Sequence, residues 1–407
     1  MRKLGIILLT AVLTACTQAK APLSLQVVQS EMARNPEASY MDGQEGKLKW
    51  NYTTGLELKA FMDVYERWET ASHDICSGPL FGKGVDYNAI LAYVDAWYDA
   101  IIDSTGTIYK YKKSNYSTDH VCPGRTLFQL YDITGKEKYR AAMDTLYSQL
   151  QSQPRTPEGN FWHKAVYPNQ VWLDGLYMAQ PFYAEYTRRY VADSLQREKN
   201  YGDIVLQFST AYYKTFDPAT GLLRHAYDAS REMFWCDPQT GQSAHAWGRA
   251  LGWYVMALVD VIEIIPEDAY KVQLKGILNN VYKALPLYAD KETGLWYQVL
   301  DCPSREGNYL EATCNAMFVY AWLKGCRLGA IGRREEALKA YDSLLATFVR
   351  VDEDGLVNLD SCCEVAGLGG KQNRKGDYDY YINEPVRSND PKGMGPLIWA
   401  ALEREKL

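Results

Sequence analysis

Six apolar stretches, each opened by small residues, recur along the chain and begin near Thr54-Gly55, Pro123-Gly124, Asp174-Gly175, Leu251-Gly252, Thr313-Cys314 and Met394-Gly395. They read G-L-E-L-K-A-F, G-R-T-L-F-Q-L, G-L-Y-M-A-Q-P, G-W-Y-V-M-A-L, C-N-A-M-F-V-Y and G-P-L-I-W-A-A. A helix that is apolar all round is a buried helix, and a small residue at its start lets a neighbour or a ligand come close. Between them run stretches that are apolar on one helical face only, at 87–102, 137–150, 201–216, 269–288 and 335–349. Each of these ends in a turn centred on a glycine: Gly106, Gly159, Gly221, Gly294 and Gly355. Successive glycines lie 53 to 73 residues apart, longer than the unit of the common helical arrays. Such a period suits a helix pair plus a long loop. Six buried helices with at least five amphipathic partners predict an all-α fold, an (α/α)6 barrel with an inner ring inside an outer one. The alternative is an open helical solenoid. Neither end of the chain carries the polar capping repeat that an open array needs.

In a toroid of this kind the loops leading into the inner helices carry the chemistry. One such loop, Phe161 to Gln180, reads F-W-H-K-A-V-Y-P-N-Q-V-W-L-D-G-L-Y-M-A-Q. Pro168 breaks any preceding helix, and helical apolar spacing resumes at Val171, which places Asp174 in a first helical turn. A carboxylate there reads either as a complement to the helix dipole or as a catalytic group. Trp172 and Tyr177 around it, with His163, Lys164 and Asn169 upstream, suit the mouth of a sugar pocket. Asp119, in S-T-D-H-V-C-P-G-R, holds the matching place before the second inner helix. Neighbouring inner helices would bring the two carboxylates to one pocket, where one keeps its proton near neutral pH, as an acid catalyst requires. Read singly, each is a helix cap.

His225 lies in L-L-R-H-A-Y-D and His245 in S-A-H-A-W-G-R. The five histidines show no metal-ligand spacing, so the expectation is no catalytic metal. Trp247, Arg249 and Trp253 fall in H-A-W-G-R-A-L-G-W-Y. They read either as a carboxylate-binding Arg beside rings that stack on a sugar, or as core aromatics with a packed Arg. The segments 309–324, 362–370 and 378–390 either line the remaining side of the pocket or close the ring.

The chain has 407 residues, with 32 Tyr and 11 Trp against 10 Phe. That excess of polar-edged rings points to a wet cleft. A net charge of -6 argues against a nucleic-acid partner and gives no membrane-surface patch. Arg2 and Lys3 precede an apolar run, Leu4 to Leu13, too short to span a bilayer. The L-T-A-C that ends at Cys16 resembles a bacterial lipoprotein signal, with Cys16 as the lipidated residue. The expected organisation is therefore a signal segment over 1–16, a polar tether over 17–46 and one catalytic domain over 47–407, exported to the periplasm or outer membrane and touching membrane only through the lipid. Eight cysteines follow Cys16 without a disulfide-framework spacing. They read as buried free thiols, with a pairing as the alternative.

The blocks H-K-A-V-Y-P-N-Q-V-W-L-D-G-L-Y-M, H-A-W-G-R-A-L-G-W-Y-V-M-A-L-V-D, N-Y-L-E-A-T, V-A-G-L-G-G and Y-Y-I-N-E-P-V-R-S-N-D-P-K-G-M-G-P resemble the unsaturated rhamnogalacturonyl hydrolases of glycoside hydrolase family 105. The resemblance runs from about Trp50 to the C-terminus. It implies the (α/α)6 barrel, no cofactor, and a substrate made by polysaccharide lyases with a C4=C5 double bond in its terminal uronic acid. It also implies roles. Asp174 protonates C4 and activates water for C5. Asp119 binds sugar hydroxyls and helps keep Asp174 protonated. His163, Lys164 and Asn169 match the sugar-binding loop, and Trp247, Arg249 and Trp253 the block that stacks on the sugar and holds its carboxylate. His225 stands in H-A-Y-D-A where the family has H-A-W-D-E. The related family 88 makes an unsaturated glucuronyl hydrolase, acting on glycosaminoglycan, ulvan or arabinogalactan fragments, the rival within the enzyme class. A lipid-anchored, non-catalytic glycan-binding protein is the rival from outside it.

Overall fold

The computed structural model describes residues 21–74 and 87–407. In chain order its helices are α1 (Leu23–Arg34), α2 (Tyr52–Asp74), α3 (Tyr87–Ile101), α4 (Gly124–Thr134), α5 (Glu137–Gln151), α6 (Leu173–Tyr190), α7 (Ser194–Thr215), α8 (Gly248–Ile264), α9 (Ala269–Ala284), α10 (Ala312–Arg327), α11 (Arg334–Phe348), α12 (Tyr378–Ile382) and α13 (Pro391–Glu405). Three antiparallel ladders sit in the loops: β1 (Gln170–Trp172) with β2 (Ala226–Asp228), β3 (Val349–Val351) with β4 (Val357–Leu359), and β5 (Cys362–Cys363) with β6 (Val386–Arg387).

The six apolar stretches are α2, α4, α6, α8, α10 and α13. Each packs on the next, and α13 packs back on α2, so the inner ring is closed. Burial separates the two rings. Fifteen of the seventeen residues of α8 are buried, whereas α5 buries six of fifteen, spaced along one face from Tyr139 to Leu150. The outer helices α3, α5, α7, α9 and α11 pack on α2, α4, α6, α8 and α10 in turn. All five turn glycines have positive φ, from 72° at Gly294 to 99° at Gly159, the left-handed conformation that favours glycine at the end of a helix.

One expectation is corrected. The stretch read as a tether, 17–46, is from Leu23 onward part of the barrel: α1 is the sixth outer helix, packed on α13 and α2. Its buried face holds Ser24, Ser30 and Glu31 beside Leu25, Val27 and Val28, so its apolar stripe is too weak to read as a core helix. Ser24 Oγ donates to Glu405 at 2.8 Å, across 381 residues of sequence, and Val357 N donates to Ser30 Oγ at 2.9 Å. These bonds join the two ends of the chain and close the toroid against the open-solenoid alternative. The signal segment and Cys16 lie outside the described residues. The seven described cysteines are free thiols, and Cys122, Cys314, Cys362 and Cys363 are buried.

Where α1 meets α2, Glu57 is fully buried, and among the described residues its two carboxyl oxygens have no hydrogen-bond partner. Glu31 and Glu57 both line a cavity of 170 Å³. Burial first, and then the charge of Glu31, pushes Glu57 well above 4.5. The folded protein then binds more protons than the unfolded chain, and stability falls as pH rises from that value toward the folded pKa. Glu57→Gln is expected to abolish this slope, which amounts to about 1.4 kcal/mol per pH unit. Urea midpoints at about pH 5 and about pH 8 check it, and a wild-type-to-variant gap that stays constant refutes it.

Candidate active site

The loops entering the inner helices meet at one mouth of the barrel. At the other mouth, residues from all six inner helices form a cavity of 480 Å³ laced with ion pairs such as Arg125–Asp260 and Lys324–Asp260. The loop-lined mouth opens into a larger space of 560 Å³, walled by Trp50, Tyr52, Asp119, Lys164, Val365 and Arg387 among others. A space of this size suits a short oligosaccharide.

A small ladder builds the centre. Trp172 of β1 pairs with Ala226 of β2, and Leu173 N donates to the His225 carbonyl at 3.1 Å. His225 and Asp174, 51 positions apart in sequence, thus become neighbours: His225 Nε2 lies 3.3 Å from Asp174 Oδ2. The two atoms are close without being aligned as a hydrogen bond in the free protein. The other ring nitrogen of His225, Nδ1, lies 2.7 Å from the Tyr381 hydroxyl of α12. Trp247 packs on the same imidazole at 4.8 Å and stacks on Tyr381 at 5.7 Å.

The second carboxylate belongs to a short 3-10 turn, Thr118–His120. That turn is tied to the loop ahead of β1, because Thr118 N donates to the His163 carbonyl at 3.0 Å. Lys164 is ion-paired with Asp119, and His163 Nε2 lies 3.5 Å from it. The His163 ring stacks on Trp172 at 4.7 Å. Gly175 lets it do so, since a Cβ there would stand 2.9 Å from His163 Nδ1. Gly175→Ala is therefore expected to push His163 off Trp172 and lower turnover on the order of tenfold, because sub-ångström misplacement of site groups carries costs of that scale. Steady-state kinetics of the wild type and the variant measure it. Wild-type kinetics in the variant would show that this approach is not needed.

Asp119 and Asp174 face one region. Tyr52 and Lys164 each feel the charge of both. Asp174 is not on the wall of the 560 Å³ space, yet its side chain is 14% exposed. The expected coupling of the two carboxylates is corrected. Burial raises Asp119, but Lys164 and His163 outweigh it and hold it below the usual carboxylate range. Burial likewise raises Asp174, and His225, followed by His163, outweighs that and leaves it lowered. Burial drives His163 itself down to about 4. His225 stands ahead of His163 among the groups that lower Asp174. Each carboxylate has its own partner, and neither needs to share a proton with the other.

The remaining expected residues are placed as follows. Asn169 takes a left-handed turn, φ 60°, ahead of β1, and its carbonyl accepts from Ala229 N. Arg249 is 2% exposed, donates to the Cys363 carbonyl and packs 4.7 Å over Trp247. Its Nη1 is committed to a backbone carbonyl, and Arg249 is not among the residues that wall the 560 Å³ space. Trp253 is buried against Tyr177 and the edge of Tyr52. His245 lies with Asp301, whose Oδ2 is also held by Arg224 at 2.7 Å. Sequence reasoning missed Tyr52 and Tyr381. Tyr52 is the first residue of the first inner helix, and Asp174 likewise lies in the first turn of the third.

The sequence model of the family described as Glycosyl Hydrolase Family 88 matches residues 23–407, beginning where α1 begins. A solved structure of a glycoside hydrolase from family 105, from C. acetobutylicum ATCC 824, is similar over 95% of this chain and 100% of its own, at 42% identity and a TM-score of 0.85. The unsaturated glucuronyl hydrolase of Bacillus sp. GL1 shares the fold over 94% of this chain and 95% of its own, at 10% identity and a TM-score of 0.63. Protein Atu3128 of Agrobacterium fabrum (strain C58) is 40% identical over 235 residues, which is 56% of this chain and 97% of its own. Unsaturated rhamnogalacturonyl hydrolase YesR of Bacillus subtilis (strain 168) is 29% identical over 287 residues, which is 69% of this chain and 74% of its own.

Proposed function

This chain belongs to glycosyl hydrolase family 88 together with its family 105 relatives, and on that premise we propose that it removes the 4,5-unsaturated uronic acid from the non-reducing end of lyase-generated, rhamnogalacturonan-type pectic oligosaccharides. The observation that carries the reading is Asp174 held against His225 at 3.3 Å, facing the same region as the Asp119–Lys164 pair. The similarity to the rhamnogalacturonyl hydrolase of Bacillus subtilis supports the pectic substrate.

In this reading Asp174 gives its proton to C4 of the vinyl ether. Water adds its hydroxyl to C5 and returns its proton to Asp174. The hemiketal at C5 then opens and the aglycone leaves, so no displacement occurs at the anomeric carbon and the carboxylate-spacing rule for ordinary glycosidases does not apply. Asp119, fixed by Lys164, accepts from sugar hydroxyls. The free site keeps Asp174 lowered. Entry of a substrate carboxylate, with loss of water, opposes that and favours the protonated acid at the moment it is needed. The N-terminal L-T-A-C adds a location to the proposal: export, with a lipid on Cys16 at the periplasmic or outer-membrane surface. Cys16→Ser would move the protein from the membrane to the soluble fraction.

The test is the ultraviolet absorbance of the C4=C5 chromophore over time with purified protein and lyase-digested rhamnogalacturonan. Loss of absorbance is the expected result. A flat trace there with loss on glycosaminoglycan, ulvan or arabinogalactan digests replaces the substrate and keeps the mechanism. A flat trace on all of them leaves a glycan-binding protein.

A further inference from the structure

We propose that Tyr381 is a positioning residue that fixes the tautomer of His225, so that the imidazole turns its Nε2–H toward Asp174 and sets how firmly that carboxyl holds its proton. The proposal rests on the reading of Asp174 as the acid, but its central claim, which nitrogen of His225 carries the proton, is independent of any substrate.

The geometry leaves one economical arrangement. Tyr381 is completely buried, and its hydroxyl has the His225 Nδ1 at 2.7 Å as its hydrogen-bond partner among the described residues. Burial, then the charges of Tyr380 and Asp174, raises the phenol well above its ordinary value, so it stays protonated. A buried hydroxyl proton needs an acceptor, and Nδ1 is the one within reach. With Nδ1 accepting, neutral His225 carries its proton on Nε2, the atom 3.3 Å from Asp174 Oδ2. The ring is held in this orientation by Trp247 on one side, at 4.8 Å, and by the edge of Trp172 at 5.4 Å. Tyr381 is itself clamped, because it stacks on Trp247 and Gln298 Nε2 donates to its carbonyl at 3.2 Å.

The opposite tautomer would present a bare Nε2 to Asp174, two acceptors facing each other unless the carboxyl kept its proton. The hydroxyl of a residue from the far end of the chain thus selects between an Asp174 that releases its proton readily and one that retains it. The other groups that bear on Asp174 are His163 and Lys164 from the loop ahead of β1, and Tyr52 from α2; Arg374 and Asp301 bear on Tyr381. None of them contacts His225 Nδ1 within hydrogen-bond distance among the described residues.

The first experiment is nitrogen-15 spectroscopy of the histidine rings in the wild-type protein near neutral pH, with His225 assigned by its loss in His225→Asn. Five histidines make the spectrum tractable. Protonated Nε2 and bare Nδ1 are expected, and the reverse tautomer overturns the proposal whether or not the protein turns over any unsaturated sugar. The second uses Tyr381→Phe, which keeps the ring on Trp247 and removes the hydroxyl. Asp174 acts as an acid in the proposed reaction, so kcat/KM falls as pH rises through its pKa. Losing the donor arrangement raises that pKa, and the alkaline limb is expected to move upward by on the order of one pH unit, with KM little changed. A limb that stays in place while KM rises would mean that Tyr381 only shapes the pocket, and overturns the proposal. Absence of turnover in the wild type on every unsaturated substrate would sink the reaction, not the tautomer.

Discussion

Asp174→Asn is expected to lower kcat by about 10² to 10⁴, the range that a positioned general acid–base contributes, while KM changes little. The amide keeps the shape of the carboxylate and still offers an oxygen to the His225 Nε2–H across the 3.3 Å contact, so the fold and the sugar site should persist. It has no proton to give to C4 and no base to take one from water. The variant should therefore bind the unsaturated sugar in calorimetry while the chromophore survives. Asp119→Asn separates the two carboxylates. It frees Lys164 from its ion pair and removes an acceptor for sugar hydroxyls, so its main effect should fall on KM. A loss of less than tenfold in Asp174→Asn, with a larger loss of kcat in Asp119→Asn, would transfer the acid role to Asp119.

The other large effect lies at the opposite mouth. Asp260 of α8 is paired with Arg125 of α4 at 2.7 Å and with Lys324 of α10 at 2.8 Å, and it accepts from the Tyr320 hydroxyl. Burial raises its carboxyl, but Lys324 and Arg125 outweigh that and leave it far below the usual range. Asp260→Asn leaves the buried Arg125 without its counter-charge and Lys324 with Glu263 alone, and breaking a buried pair in this way costs about 3–5 kcal/mol. Urea unfolding followed by circular dichroism should show that loss at neutral pH. The sign with pH is fixed by the depressed pKa: the contribution is present above about 3.8, the ordinary value for Asp, and fades as pH falls toward the folded value. The gap between wild type and variant should therefore shrink in acid. Turnover of the folded variant should be near normal, because Asp260 lines the cavity at the far mouth. A loss under about 1 kcal/mol would show that solvent in that cavity screens the cations.

The inner helices and the glycine turns were legible because their signals are local. An all-round apolar helix such as α8 or α10, and a glycine that ends an amphipathic stretch, each declare themselves within about twenty residues. Asp119 and Asp174 were found by their shared position in the repeat, which is also a local signal read several times.

What stayed hidden depends on contacts between distant parts of the chain. The segment of α1 carries no core-helix pattern because Ser24, Ser30 and Glu31 lie on its buried face, and the groups that satisfy them, Glu405, Val357 N and Arg34, come largely from the other end of the sequence. Arg249, expected to hold a ligand carboxylate, also gives its Nη1 to the Cys363 carbonyl, 114 residues later, a contact that no local pattern announces.

The six-fold helical plan is written in the sequence, because hydrophobic period and turn chemistry act over short spans. The closure of the ring through α1 and α13, the placing of His225 beside Asp174 and of Tyr381 behind that histidine come from contacts between distant parts of the chain. A pKa or a tautomer depends on which groups lie within a few ångströms, and here His225 and Tyr381 come from 51 and 207 residues beyond Asp174 along the chain.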